Sequence, residues 1–220
     1  MNAMSSRETV PRGRHAPPLE VRQDRQRRRL FVAAAAVFAR CGYAEATAEA
    51  IAREAGMSKA TFYEHFDNKE SCIIALFDAA METILGAMVE APDDGGGGDP
   101  RLRYQRNTVT FLEAIASFPD TAQTLLVEII GAGPKAMERR DGVLNAFAEY
   151  IYSRNALDYQ AGLVPRFASL ADCYALVGAI VELASRQLRT KQPADIRDLA
   201  PVVERMVNAL LAMSPEQPAT

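Results

Sequence analysis

The segment from Thr47 to Lys69, TAEAIAREAGMSKATFYEHFDNK, constrains this chain more than any other. In its first half Thr47 is a natural N-cap and Glu49 sits in the first turn, where the helix dipole favours an acid. Ile51, Ala52 and Ala55 then form one apolar stripe, which predicts a helix over about 47–55. In the second half Ser58 can cap a helix from Lys59 to Phe66, whose Phe62 and Phe66 are four residues apart and must point inward together. Gly56 between them tolerates the positive φ of a sharp turn. Two short helices joined by a glycine-containing turn of about four residues form a helix-turn-helix, and such a motif sets its second helix in the major groove of DNA.

The flanks support that reading. Leu30, Ala34, Val37, Phe38 and Cys41 lie on one face of a preceding helix from about Arg25, with Gly42 as a left-handed C-cap. Asp67 and Glu70 can form a capping-box pair for a following helix that carries Ile73, Ile74, Phe77, Met81, Ile84, Leu85 and Met88. With Phe62 and Phe66 inward, Lys59, Ala60, Thr61, Tyr63 and His65 project outward, and no catalytic set is among them. Lys59 can donate to a guanine edge or a phosphate, and Thr61 can bond a phosphate and offer its methyl to thymine. Ala60 permits close backbone approach, and Tyr63 and His65 carry donors at phosphate reach. Thr47, Ser58 and Lys69 stand where they would meet the DNA backbone, and His65 reads as a phosphate contact rather than a core histidine.

Charge is unevenly spread. Residues 1–30 hold eight arginines against three acids, a net +5 in a chain of net −3, so the remainder carries −8. A basic end on an acidic body suits one end that meets a polyanion, with Arg27 and Arg28 among its phosphate contacts. Residues 1–20, with three prolines, read as a flexible basic arm, although a solvated tail without a role fits equally. The longest apolar run, Leu30–Ala39, is far short of the roughly 18–20 residues that cross a bilayer. No cleavable leader pattern follows the arginines. Cys41, Cys72 and Cys173 are scattered, with no CxxC and no histidine nearby, which suits a reducing cytoplasm and argues against a disulfide framework or a metal site. Alanine makes up about one residue in six, and period-2 alternation is missing, so helices are the default.

Residues 91–100, APDDGGGGDP, break all periodicity, and their aspartates would repel phosphate, so they read as a surface loop rather than a phosphate cradle. Further helices are expected at about 101–118, 120–132, 135–160, 168–190 and 195–213, bounded by proline, glycine and aspartate signals. Glu128, alone among Leu125, Leu126, Val127, Ile129 and Ile130, reads as part of a wet helix face, as do Arg139, Arg140 and Asp141. Glu182 and Arg186 suit a solvated i,i+4 pair. Cys72 has little to mark it as a redox sensor. This half holds no convergent cluster of His, Asp, Glu or Cys, so an enzyme is not expected and no cofactor is implied.

The segment resembles the TetR family of bacterial transcriptional regulators, through Phe38, Gly42, Thr47, Ile51, Ala52, Ala55, Gly56, Ser58, Thr61, Tyr63, His65, Phe66 and Lys69. It departs from that pattern at Ala60, Ala50 and Cys72, where glycine, an acid and leucine are usual. Beyond it, Val127–Asp141 and the last two helices look like members with an all-helical regulatory domain. The resemblance implies an all-α protein of about nine helices, with a three-helix DNA-binding domain at 21–70 and an effector-binding and dimerisation domain at 71–216. It implies an effector pocket among the fourth to eighth helices, where Phe77, Met81, Phe111, Ile115, Leu125, Phe147, Ile151 and Tyr174 are candidate walls that could equally be ordinary core. It also implies a homodimer through a four-helix bundle of the last two helices, with Val177, Gly178, Val181, Ser185, Val203, Met206, Val207 and Leu210 as candidate contacts; intrachain core is the competing assignment for them. The expected function is a cytoplasmic repressor, released from a palindromic operator by a small lipophilic molecule. The alternative is an effector-independent DNA-organising or recombination accessory protein with the same motif.

Overall fold

The computed structural model describes residues 18–90 and 99–213, so most of the expected arm, the glycine-rich loop and the end of the second domain lie outside the described residues. The described residues form nine α-helices and two short 3₁₀ turns, with no strand among them. In chain order the helices are α1 (Leu19–Glu45), α2 (Ala48–Glu54), α3 (Lys59–His65), α4 (Lys69–Glu90) and α5 (Pro100–Ser117). After them come α6 (Pro119–Leu126), α7 (Pro134–Gln160), α8 (Leu170–Thr190) and α9 (Ala200–Ala212). The expected helix at 120–132 divides into α6 and a 3₁₀ turn, Glu128–Gly131, and the last one begins with a 3₁₀ turn, Ile196–Leu199.

Helix α1 starts six residues earlier than expected, so Arg22, and Leu19 and Glu20 from the end of the expected arm, ride on it. It breaks at Gly42, whose φ of 77° and ψ of 161° no L-residue adopts comfortably, and one further turn follows. The caps of the next two helices are as the residue types predict. Thr47 accepts from the Ala50 N–H at 3.1 Å and Ser58 accepts from the Thr61 N–H at 3.0 Å, while Gly56 turns the chain at φ 65°. The cap of α4 differs: Asn68 and Ser71, not Asp67 and Glu70, exchange side-chain to backbone bonds at 2.9 and 3.2 Å. Asparagine one residue nearer the helix takes the N-cap role.

Two buried clusters hold the molecule. The first contains Leu30, Ala34, Val37 and Phe38 of α1, Ile51 of α2, Phe62 of α3 and Ile73 and Phe77 of α4. It continues past residue 70 into Leu125, Ile129, Ala136 and Val143, so α6 and the start of α7 share a core with the helix-turn-helix. The second joins α5 to α9 through residues such as Leu112, Phe167, Leu176 and Val203. Phe147 packs against both. Each large apolar side chain so buried contributes about 1.5–3 kcal/mol, which is what holds short helices such as α2 and α3 in place. Among the described residues no helix is long and apolar enough to cross a membrane.

The thiols follow the packing. Cys72 and Cys173 are buried, and burial pushes each thiol up to about 12, for Cys72 against the opposing pull of the Arg27 charge. Cys41 is exposed, its Sγ donating to the Val37 carbonyl. In the folded protein at neutral pH, Ellman's reagent should therefore titrate Cys41 alone, and all three thiols only in denaturant. Fast reaction of a second thiol without denaturant would contradict the burial of Cys72 and Cys173.

Candidate nucleic-acid interface and apolar cavity

Helix α3 buries Phe62 and leaves Lys59, Ala60, Tyr63 and Glu64 exposed. Phe62 meets the rings of Tyr63 and Phe66 at centroid distances of 5.5 Å, and Phe31 of α1 closes on Phe66 at 5.7 Å. This aromatic wedge sets the angle at which α3 leaves the surface. Thr61 is half-buried, with its hydroxyl 2.9 Å from that of Ser58, and His65 is half-buried with Nε2 donating to Oε1 of Gln26 at 3.3 Å. Lys59, Ala60 and Tyr63 are therefore the freest of the expected DNA-facing residues, while Thr61 and His65 are partly engaged within the domain.

Lys69 holds the domain together. Its Nζ donates to the carbonyls of Tyr43 and Ala44 at 2.8 Å and of Ala46 at 3.0 Å, and lies 4.5 Å from the centre of the Tyr43 ring. An ammonium has three protons, and all three are occupied where α1 ends. Arg27 is exposed and lies over the rings of Phe31 and Phe66, at 5.3 and 5.2 Å, and Arg28 is fully on the surface. Residue pattern alone did not mark Arg29, whose Nη2 donates to the Ala55 carbonyl at 2.6 Å, nor Gln26 and Glu64. The signal for Arg29 was available, since Arg22, Gln26 and Arg29 share one face of α1.

Glu128 is a link between the two halves, not a wet face. Its Oε2 accepts from the Tyr43 N–H at 2.9 Å, just past the break at Gly42, and its Oε1 accepts from Gln123 at 3.2 Å. Beside it, the buried Thr124 hydroxyl donates to the Ala35 carbonyl at 3.1 Å, and Arg139 pairs with Asp78 at 2.5 Å. Helix α6 and the 3₁₀ turn after it thus seal against α1 through apolar contact and side-chain hydrogen bonds to its backbone.

Between the clusters lies a cavity of about 130 Å³, walled mostly by apolar side chains of α4, α5, α6, α7, α8 and α9. Of the expected wall residues, Phe77, Met81, Phe111, Leu125, Phe147 and Ile151 line it. Ile115 does not, being buried in the second cluster, and Tyr174 does not, being 39% exposed on the outside of α8. A helix turns about 100° per residue, so Tyr174 is swung away from the inward Cys173 and Val177. Arg140, expected on a solvated face, lines the cavity with its side chain 19% exposed.

The candidate dimer contacts need a larger correction. Val177, Val181, Ser185, Val203 and Val207 are all under 9% exposed within the single chain. Four of them line the cavity, and the Ser185 hydroxyl donates to the Leu126 carbonyl at 3.1 Å. Only Gly178, Met206 and Leu210 of that set are half-exposed. Both helices carry apolar residues on more than one face, and the one chosen from sequence turns inward. Glu182 likewise pairs with Arg189 at 2.9 Å, two turns on, rather than with Arg186.

A short helix, a glycine turn and an exposed second helix make a helix-turn-helix module, here mounted on an all-helical body with a cavity. The family model for bacterial regulatory proteins of the tetR family matches residues 30–76, the stretch that carries the helix-turn-helix. The HTH-type transcriptional regulator YhgD of Bacillus subtilis is 33% identical over 94 residues, and YerO of the same organism 27% over 105. These matches take in 43% and 48% of this chain and 46% and 36% of the relatives, so the chain spans less than half the length of each. Among solved structures, FadR from Bacillus subtilis in complex with stearoyl-CoA superposes with a TM-score of 0.72 at 20% identity, over 82% of this chain and 96% of that one. NalD from Pseudomonas aeruginosa, the secondary repressor of the MexAB-OprM multidrug efflux pump, gives 0.68 at 19%, over 87% and 98%. At such identities the likeness is one of fold.

Proposed function

We propose that this protein is a cytoplasmic, homodimeric repressor that holds a palindromic operator through α3 and lets go when a small lipophilic molecule enters the cavity. The observation that carries this reading is the shared helix α4. Its first turn, at Lys69, grips the end of α1 beside the helix-turn-helix, and its Phe77, Met81 and Ile84 form one wall of the cavity. A ligand that pushes this wall displaces α4 and, through Lys69 and Glu128, the domain that carries α3. In a dimer the two recognition helices must match half-sites about 34–36 Å apart, so a small rotation of each domain costs operator affinity. The stearoyl-CoA of the FadR complex and the repressor role of NalD are in keeping with a lipophilic effector and with repression. The dimer bundle would use the outer flank of α8 and α9, where Leu183, Met206 and Leu210 are half-exposed, rather than the inward valines.

The test is a gel-shift titration on duplexes from the region upstream of the protein's own gene, at several salt concentrations. Tyr63→Ala is expected to weaken binding to every sequence about tenfold or more, the loss of a hydrogen bond to a charged group. Lys59→Ala should cost about 1–3 kcal/mol and relax base preference at one position of each half-site. Binding of the double variant as tight as wild type at matched salt would remove α3 as the reading helix. Sedimentation as a single protomer on DNA would remove the dimer.

A further inference from the structure

Arg140 is the one formal charge on the cavity wall among the described residues; no aspartate or glutamate lines it. Its nearest carboxylate is that of its own neighbour Asp141, with Nη1 3.6 Å from Oδ1, and the Asp141 side chain is 53% exposed and faces solvent. Arg139, next along α7, is committed to Asp78. The Arg140 side chain is thus four-fifths buried, with one long contact to a carboxylate among the described residues to serve its five N–H donors. A partly desolvated cation in an apolar wall is costly unless an anion meets it, and a planar fork of donors fits a carboxylate bidentately. Asn107 of α5 lines the same cavity and adds an amide donor, whereas the Thr108 hydroxyl is already spent on the Tyr104 carbonyl at 2.9 Å.

We infer that the cavity takes a lipophilic carboxylate, its head group held by Arg140 and Asn107 and its apolar body lying among Phe111, Phe147 and Val181. This rests on the reading of the cavity as the effector site and adds the charge of the effector to it. A neutral lipophile would leave the guanidinium unmatched, and an amine would meet its repulsion.

The experiment is isothermal titration of the full-length protein with three probes of equal chain length, laurate, 1-dodecanol and dodecylamine, each below its micelle-forming concentration. Wild type is expected to bind laurate about 10- to 100-fold tighter than dodecanol and dodecylamine most weakly, the range for a charge-assisted hydrogen-bonded pair. Arg140→Gln should erase the preference for laurate and leave dodecanol affinity within about twofold. Arg140→Lys, which keeps the charge without the fork, should retain part of it. Unliganded melting curves of the variants confirm that they fold; if Arg140→Gln does not, the wild-type comparison of laurate with dodecanol decides alone. Equal affinity of wild type for laurate and dodecanol, or a laurate preference that survives Arg140→Gln, would overturn the inference while leaving a lipophilic effector in place. Binding of none of the three would overturn both.

Discussion

Phe62→Ala is expected to abolish DNA binding at physiological temperature while most of the helical circular dichroism survives. Phe62 is fully buried, and its ring is the hinge of the wedge formed with Phe31, Phe66 and Tyr63. Replacing a buried phenylalanine by alanine costs about 3–5 kcal/mol, a large part of the ~5–15 kcal/mol that holds a domain together. Helices of seven residues have no stability of their own in water, so α2 and α3 melt when the wedge is lost. The second cluster does not contain Phe62, so α5 to α9 keep their packing. The measurements are a gel shift and a urea melt followed at 222 nm; a variant that binds DNA as wild type does would show that the wedge is not what fixes α3.

Asp158→Ala should destabilise the second half to a similar extent, by about 3–5 kcal/mol, the usual result of breaking a buried ion pair from one side. The Asp158 side chain is 6% exposed and that of its partner Arg103, on α5, 15% exposed, and Arg154 approaches the same carboxylate at 3.9 Å. The pair fastens α5 to the far end of α7, two helices that also wall the cavity. The control is Arg197→Ala, which breaks the Asp195 pair at 2.6 Å on the open surface, where both side chains are over 40% exposed, and keeps the Asp195 cap on the residue 197 N–H. Water screens that pair, so the urea midpoint should hardly move. Equal losses from the two substitutions would contradict the difference in burial.

The two substitutions act on different halves, yet Phe147 and α6 join these, and the proposed response to an effector rests on this union. A cavity wholly inside the second cluster could be filled without consequence for α3. This one has Phe77, Leu125 and Val143 of the first cluster in its wall, so repacking around a ligand is felt on both sides. Close-packed interiors transmit such changes because they have few soft directions.

Much of the DNA-binding half is legible from residue order. Thr47, Ser58, Gly42, Gly56, Phe62 and Phe66 act over four residues or fewer, through caps, positive φ and helical spacing, and local chemistry determines each of them. The helix limits in the second half follow from the same punctuation by proline and glycine, and six of the eight wall residues suggested by the family resemblance line the cavity. Arg140 was legible too: it stands three, four and seven residues before Val143, Leu144 and Phe147, on the face that turns inward.

What residue order leaves open is the choice among faces and partners far apart in the chain. Helices α8 and α9 carry apolar residues on more than one side, and only the arrival of α5, α6 and α7 decides that Val177, Val181, Val203 and Val207 face the cavity instead of a second protomer. Glu128 finds the Tyr43 N–H across 85 positions, and Lys69 finds carbonyls across 23 to 26. Those carbonyls and that N–H are free because Gly42 interrupts α1, an event that local sequence predicts. Local rules determined where this chain makes helices and where it leaves backbone groups unpaired, and tertiary packing decided which distant side chains came to satisfy them.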